Sequence, residues 1–299
     1  MRAIQLLITL NFAYIDSISE QVMVEYQAER ERWLSHRRTV RMEVLERLLG
    51  PYPPDTDAAE AVLGYALRHH HLGVVLWTGS TMAAPARLTG LEDIVARIAE
   101  TLRATEQPLI WPRDSNTLWA WIPWRPSISQ LDEDRLAEIL RTEADDVRLA
   151  LGAPGNDVEG FRQTHNDAIR AARVASIADR HSRPITSYTD PGVRTAALLS
   201  ADLDAAQRMV GAALGPLAAD EPATALLRET VRVFLDEKGS YVAAAARLHV
   251  HKNTVKYRLA RAVERRGAPI ESDRLDVELA LVAAHWLGPS VLTAAPTEL

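Results

Sequence analysis

The sequence predicts a multidomain protein of mixed α and α/β structure: a long N-terminal helix, then an α/β sandwich, then an all-helical C-terminal region. Three observations predict this class. Residues 1–49 contain neither glycine nor proline, residues 58–215 alternate short apolar runs with amphipathic stretches, and residues 222–288 show helical patterns only. At 299 residues, with 47% hydrophobic and 25% charged residues, the chain has the size and composition of a globular protein of about two domains.

The N-terminal segment, residues 1–50, is predicted to form one long helix or two nearly continuous ones that end at Gly50 and Pro51. Two interpretations stay open: a helix that dimerises or transmits a signal, and a helix packed on its own chain. The apolar run at residues 4–15 is shorter than the roughly 20 residues of a membrane span and lacks the flanks of a signal peptide, so neither is expected. A rough three–four spacing of apolar residues forms an imperfect coiled-coil seam: Phe12, Ile15, Val22, Tyr26, Trp33 and Val40.

The middle region, residues 58–215, follows a proline-rich linker at 51–57 and has the pattern of a compact α/β sandwich. Glycine and proline at 215–216 and proline at 222 place a domain boundary before the C-terminal region, and residues 289–299 are expected to form a flexible tail. The periodicity predicts strands at 72–77, 109–111, 118–122 and 147–151, and helices at 58–67, 91–105, 131–140, 161–178 and 204–214.

The C-terminal region, residues 222–288, contains two short helical patterns joined by a tight turn between residues 240 and 259. In the first, Ala244, Ala245 and Leu248 share one face, where small side chains let a second helix cross closely. In the second, an apolar stripe faces inward, whereas polar residues share the opposite side, a pattern typical of a helix-turn-helix whose second helix enters the major groove. The stripe is Val255, Leu259 and Ala262, and the opposite side holds Asn253, Lys256, Tyr257, Ala260 and Arg261.

Charge supports a polyanionic partner. Residues 239–267 contain seven lysines or arginines and one acid, Glu264, for a net charge of +6, although the whole chain carries −6. A basic island in an acidic protein indicates nucleic acid. A solvated basic helix beside an acidic domain is the weaker alternative, because the turn, the alanine pair and the basic face coincide.

Double-stranded DNA is therefore the predicted partner, and a homodimer is expected because one such motif reads only a few base pairs. Asn253 is the best candidate base reader, since its amide can pair bidentately with adenine. Glu264 is predicted to be a local ion-pair partner of Arg261 or Arg265. The competing hypothesis is a protein-interaction module with only nonspecific DNA affinity. The candidate base contacts are His251, Lys252, Asn253, Thr254, Lys256 and Tyr257. The candidate phosphate contacts are Arg258, Arg261, Arg265 and the backbone at Ser240 and Tyr241, with packing toward the neighbouring domain as the alternative for Arg258.

The run Ala-Ala-Arg-Leu-His-Val-His-Lys-Asn-Thr-Val-Lys-Tyr-Arg-Leu at 245–259 closely resembles the C-terminal DNA-binding domain of the PucR-type transcriptional regulators, also called the CdaR or sugar-diacid regulator family. Residues 226–235 and 273–281 resemble the leading and closing helices of that domain. The resemblance implies a bacterial transcription factor without a catalytic site that answers to an unidentified effector. The chain has no cysteine, which rules out disulfides and thiolate zinc sites and suits the cytoplasm.

Residues 63–77, 118–123 and 160–172 resemble the GGDEF-like domain that precedes this motif in many members, which implies a nucleotide-cyclase-like sheet with helices on one face. Active cyclases of this fold need carboxylates for Mg²⁺ and a Gly-Gly turn. The loop at 113–118 has no glycine, and the first strand carries Trp77 rather than a metal-binding aspartate. The domain is therefore predicted to be catalytically degenerate, with no metal or cofactor. The histidines at 69–71 are expected to lead into a strand, and the tryptophans between 111 and 124 to serve mainly as core.

Overall fold

The computed structural model describes residues 2–79, 84–124, 132–143, 146–178 and 183–294. Over these ranges the mixed α and α/β class is confirmed. The chain divides into two compact units, Met1–Leu67 and Arg68–Leu299. None of the helices in the described ranges combines the length and the apolar character that a membrane crossing requires.

The first unit consists of helices α1 (Arg2–Leu49) and α2 (Thr56–Leu63). As predicted, α1 ends before Gly50. The Asp55 carboxylate caps α2 by accepting a hydrogen bond from the backbone N–H of Ala58 at 3.0 Å. Leu45 and Leu48 are buried near the end of α1, which contacts α2. Within this unit, α2 therefore packs on the C-terminal end of α1.

The predicted seam of α1 is exposed at three of its four described side chains. Val22, Tyr26 and Trp33 are 57–64% exposed, and Val40 is half-buried. Phe12 and Ile15 have no described side chains. At Val22, Tyr26 and Trp33 the seam is therefore largely uncovered, and its role in dimerisation stays a prediction.

The second unit is built on a six-stranded sheet in which β1 is central. The strand order is β2-β3-β1-β4-β6, and β5 pairs separately with the start of β1. The pairing of β4 with β6 is parallel. The other strand pairs are antiparallel. In register, Val74 of β1 lies opposite Ala120 of β3 and Leu151 of β4. The strands are β1 (His70–Thr78), β2 (Leu109–Pro112), β3 (Thr117–Trp124), β4 (Val147–Leu151), β5 (Gly155–Asn156) and β6 (Ile185–Ser187).

Helices cover both faces of this sheet, which corrects the expectation of helices on one face. Helices α3 (Ala84–Thr101) and α4 (Glu133–Glu143) enclose one apolar core with Leu72, Val74 and Leu76 of β1. Helix α5 (Asp157–Ala178) packs on the opposite face, where Val75 and Ala150 meet its alanines. The physical reason is that β1 is buried on both faces, and a strand with two apolar faces needs cover on each.

Helix α5 packs closely on the sheet beside two glycines, Gly73 in β1 and Gly152 directly after β4. The backbone N–H of Gly73 donates to the Thr164 hydroxyl at 2.7 Å, and the N–H of Gly152 donates to the Gly73 carbonyl at 2.9 Å. A Cβ atom on Gly152 would lie 1.8 Å from the Thr164 carbonyl oxygen. Glycine at these positions therefore sets the depth at which α5 packs.

The C-terminal helices extend the core from the α5 face of the sheet. Helix α11 contacts α5, α6, α7 and α8, so it joins the sheet to the remaining helices. The predicted boundary at 215–222 begins with the 3₁₀ turn Gly215–Ala218 inside the second unit, in which Leu217 and Ala218 are buried. The division into two domains there stays a prediction. The helices are α6 (Val193–Leu199), α7 (Leu203–Leu214), α8 (Pro222–Asp236), α9 (Tyr241–Arg247), α10 (Lys252–Arg266) and α11 (Arg274–Leu287).

Three short segments differ from the sequence predictions. Strand β6 and helix α6 were not predicted, because three and seven residues carry too little periodicity. The expected tail from residue 289 is corrected over 289–294: Val291 and Leu292 are buried, and Thr293 pairs with Ala219. The apolar pair gains burial by packing back on the core. Residues 295–299 of the predicted tail lie outside the described residues.

Candidate nucleic-acid interface

The first helix of the predicted motif is α9, and its start is defined by backbone geometry. Helix α8 ends in a loop where Lys238 and Gly239 adopt left-handed φ angles of 53° and 82°. The Ser240 hydroxyl then accepts a hydrogen bond from the Ala243 N–H at 3.2 Å and caps α9. Ala244 and Ala245 are buried, so the small-residue face points inward as predicted.

A turn of four residues joins α9 to α10. His249 holds a left-handed φ of 52°, and the N–H of Val250 donates to the Ala245 carbonyl at 3.0 Å. This bond satisfies a terminal carbonyl of α9 in the manner of a C-cap. His251 caps the next helix, since its Nδ1 accepts the N–H of Asn253 at 3.3 Å. The Nε2 atom of His251 is therefore the donor that remains for an external partner.

Helix α10 has the two faces that the sequence predicts. Val255, Leu259 and Ala262 are buried on the inner face. On the outer face the predicted base readers are exposed, and Tyr257 is 66% exposed. Thr254 is half-buried. Of the predicted contact residues, those exposed are Ser240, Tyr241, His251, Lys252, Asn253, Lys256, Tyr257, Arg261 and Arg265.

Three elements meet at Tyr241, the first residue of α9. Its ring lies 4.8 Å from the ring of Phe234 in α8, and the Lys256 Nζ lies 5.4 Å above it in a cation–π contact. Tyr241, a predicted phosphate contact at the start of α9, therefore lies beside Lys256, a predicted base contact of α10. A Lys256 held against Tyr241 loses less side-chain entropy on meeting a phosphate than a free lysine does.

Two predicted phosphate contacts already hold carboxylates. Arg261 pairs with Glu264 at 2.5 Å, which confirms the predicted local ion pair, and Arg265 pairs with Glu221 at 2.8 Å. Arg258 is half-buried. A phosphate must compete with these partners, so the exposed lysines of α10 are the cations most directly available to a polyanion.

In the sequence analysis, Arg247 and Arg266 contribute only to the net positive charge of residues 239–267. In the structure, both side chains form contacts that stabilise the fold. Arg247 pairs with Glu237 at 3.1 Å. The nearly buried Arg266 donates to the Ala213 carbonyl at 2.7 Å and pairs with Asp273. No sequence signal marks this role, because Ala213 lies 53 residues earlier in the chain. The C-terminal end of α10 is thereby anchored to α7.

The hairpin between β2 and β3 lies where the loop of a cyclase would be expected. The Asp114 carboxylate accepts the N–H of Asn116 at 2.8 Å, and the N–H of Arg113 donates to the Thr117 carbonyl at 3.0 Å. Asp114 therefore stabilises the turn itself. In the part of the chain that the structure describes, no group of three or more His, Cys, Asp or Glu side chains is arranged to hold a metal ion. The absence of catalysis stays a prediction.

Beside this hairpin, α5 and β3 form an aromatic cluster. His165 is buried between Trp119 and Trp121, with ring centroids 4.5 and 4.8 Å away, and Trp121 also stacks on Phe161 at 4.5 Å. Burial, with the nearby charge of Arg113, lowers the pKa of His165 to about 4. Trp121 and Trp111 are buried, which agrees with their predicted role in the core.

The histidine run also behaves as expected. His69 directly precedes β1, His70 begins the strand, and His71 is buried edge-on against Phe161 at 5.5 Å. His69 therefore leads into the strand as predicted, whereas His70 and His71 already belong to β1.

Two family models match the chain. One, described as the GGDEF-like domain, matches residues 49–174, which include β1 to β5 and most of α5. The other, described as the PucR C-terminal helix-turn-helix domain, matches residues 227–283, from α8 into α11. The chain therefore contains a GGDEF-like domain followed by a PucR-type C-terminal helix-turn-helix domain.

Relatives of this chain include the transcriptional activator PmfR of Paenarthrobacter nicotinovorans, which is 34% identical over 149 residues. The aligned residues are 48% of this chain and 29% of that protein. An uncharacterised protein from the pkwA 5′ region of Thermomonospora curvata is 36% identical over 91 residues, 30% of this chain and 49% of that protein. The matches thus span about half or less of these relatives. A crystal structure described as a regulator of polyketide synthase expression from Bifidobacterium adolescentis aligns with a TM-score of 0.40 and 18% identity, over 82% of this chain and 97% of that one.

Proposed function

We propose that this protein is a sequence-specific, DNA-binding transcriptional regulator that reads duplex DNA through the outer face of α10. One observation carries the proposal: Asn253, Lys256 and Tyr257 are exposed on a helix whose opposite stripe is buried, within the matched helix-turn-helix domain. Such a helix presents amide, ammonium and phenol groups at the spacing of base edges and phosphates.

The proposal includes a homodimer on a two-fold operator, because one recognition helix contacts too few base pairs for useful specificity. It places the protein in the cytoplasm and gives the GGDEF-like domain a non-catalytic role with an unidentified effector. Dimerisation through the exposed seam of α1 or through the GGDEF-like domain is compatible with this arrangement.

Selection of bound oligonucleotides from a random duplex pool tests the function directly. The proposal expects a sequence motif with two related half-sites about 10 base pairs apart, centre to centre. Enrichment without a motif would instead support the interaction-module hypothesis, in which DNA affinity is only nonspecific.

Replacing Asn253 by alanine is expected to lower affinity for the selected sequence by ~1–3 kcal/mol, roughly 5- to 150-fold, because a bidentate base contact is lost. Affinity for random DNA should change little, since the amide carries no charge. Fluorescence anisotropy on both duplexes measures the two effects. Equal losses on both would show that Asn253 does not read a base.

Replacing Lys256 by alanine is expected to weaken binding to every sequence and to reduce the slope of log K against log salt by about 0.9, the value for one released counterion. The reason is the loss of one exposed cation beside the start of α9. A salt series of anisotropy titrations measures the slope. Arg208→Ala, which removes an exposed cation from α7, is the matched control and should leave the slope unchanged.

A further inference from the structure

A cavity of about 350 Å³ lies at the junction of α8, α11 and the 3₁₀ turn that follows α11. Its apolar wall includes Ala225, Leu281 and Leu292, and its polar wall includes Asp220, Glu221 and Arg228. Small-molecule sites in proteins begin at about 300 Å³ and combine apolar walls with a few polar groups. The cavity therefore has the size and lining of a site for a small organic molecule.

Arg228 is the polar group that distinguishes this cavity. It is 7% exposed, and its Nη1 donates to the carbonyls of Leu217 at 2.6 Å and Ala219 at 2.7 Å. Burial lowers the pKa of Arg228, and the Asp220 charge offsets part of that effect. Within the described residues no carboxylate lies at ion-pair distance from Arg228. A buried guanidinium without a paired anion is costly, and its planar fork has further N–H donors for a carboxylate.

The other charges of the cavity wall are already balanced. Glu229 holds Arg232 at 2.7 Å, and Arg232 also pairs with Asp236 at 2.8 Å. Burial, with the charge of Arg232, lowers the pKa of His285 to about 4, so that this imidazole is neutral at pH 7. Glu221 holds Arg265. An incoming ligand therefore meets one cation without a carboxylate at ion-pair distance, Arg228, and one nearby anion, Asp220.

We propose that this cavity binds a small zwitterion of the apolar α-amino acid class. The carboxylate of the ligand pairs with Arg228, its ammonium group faces Asp220, and its side chain packs on Leu281 and Leu292. A phosphate dianion fits less well than a zwitterion, because it has no cationic group to place opposite Asp220.

The same cavity contacts the DNA-binding helix through one residue. Glu221 lines the cavity and pairs with Arg265 of α10 at 2.8 Å, so occupancy of the cavity changes the surroundings of a predicted phosphate contact. This coupling rests on the proposed function, whereas binding of the amino acid does not. By linkage, any change that the ligand makes in DNA affinity equals the change that DNA makes in ligand affinity.

Isothermal titration of the full chain with L-leucine tests the site without DNA. We expect saturable binding of one molecule per chain. 4-Methylpentanoate, which lacks the ammonium group, and 3-methylbutylamine, which lacks the carboxylate, should each bind at least about tenfold more weakly. No saturable binding of L-leucine, or equal binding of all three compounds, would overturn the proposal.

Variants locate the site. Ala225→Leu fills the cavity from an exposed position of α8 and should reduce L-leucine affinity at least about tenfold, whereas Ala223→Leu, at an exposed position of α8 outside the lining, should leave it unchanged.

Asp220→Asn should reduce the affinity for L-leucine but not for 4-methylpentanoate. Arg228→Gln should abolish binding of both, and circular dichroism of that variant checks that it folds. Wild-type affinity in both Ala225→Leu and Asp220→Asn would place the ligand elsewhere and contradict the proposal.

A separate measurement addresses the coupling. With the selected duplex, saturating L-leucine should change DNA affinity in the wild type but not in Glu221→Gln, which lacks the carboxylate that holds Arg265. Leucine binding without an effect on DNA would reject the coupling and keep the site. Failure to select any duplex would count against the proposed function and leave the titration result intact.

Discussion

Replacing Gly152 by alanine is expected to lower the free energy of unfolding by ~3 kcal/mol or more, as overpacking against rigid backbone does. The new Cβ would lie 1.8 Å from the Thr164 carbonyl oxygen and 2.7 Å from its hydroxyl. Since both atoms belong to the middle of α5, the whole helix must move away from the sheet. Urea unfolding followed by circular dichroism measures the change.

The matched control is Gly90→Ala. Gly90 lies inside α3, and a Cβ atom there meets nothing within 4 Å. Removing a helical glycine at an open position should raise the free energy of unfolding by roughly 0.5–1 kcal/mol.

Because α11 packs on α5, Gly152→Ala should also weaken DNA binding through loss of folded protein. A stable Gly152→Ala protein would show that the close packing of α5 is not required.

Acidification from pH 7 to pH 5 is expected to cost ~2 kcal/mol of folding stability through His165 alone. Burial lowers its pKa to about 4 in the folded chain, whereas the unfolded value is about 6.5. As the pH falls through 6.5, the unfolded chain binds a proton that the folded chain does not bind. The stability is therefore fully present above pH 6.5 and is lost progressively down to pH 4.

His165→Phe isolates this contribution, because a phenyl ring keeps the contacts with Trp119 and Trp121 and cannot be protonated. The decrease in unfolding free energy between pH 7 and pH 5 should be ~2 kcal/mol smaller in the variant than in the wild type. His285 acts in the same direction, since burial also lowers its pKa to about 4. Groups shared by both proteins cancel in the comparison.

Among those shared groups, the carboxylates Glu133, Asp167 and Asp190 act in the opposite direction, because burial raises their pKa values. If His165→Phe loses as much stability as the wild type, the acid-sensitive group lies elsewhere.

The candidate interface was the part of this protein most open to prediction from sequence. The inward stripe of Val255, Leu259 and Ala262 and the outward Asn253, Lys256 and Tyr257 follow from helical periodicity, and the structure places them on the expected faces. Helical residues three and four positions apart share a face whatever surrounds them. The ion pair of Arg261 with Glu264, three positions apart, was predictable for the same reason.

Contacts between distant parts of the chain were not predictable in this way. Arg265 and Arg266 look alike in the sequence, yet one pairs at the surface with Glu221 and the other is buried on the Ala213 carbonyl. The cover on both faces of the sheet, the return of residues 289–294 to the core and the cavity beside Arg228 also depend on packing.

Local pattern alone thus determined where most of the longer helices and strands lie and which side of α10 meets solvent, since backbone periodicity assigns neighbouring side chains to faces. Only the tertiary structure decided which charges are already neutralised, how close α5 lies to the sheet and where a buried guanidinium is left without an anion. Those properties arise when segments tens of residues apart pack together and exclude water. The spacing of residues along the sequence does not show which distant segments will be in contact.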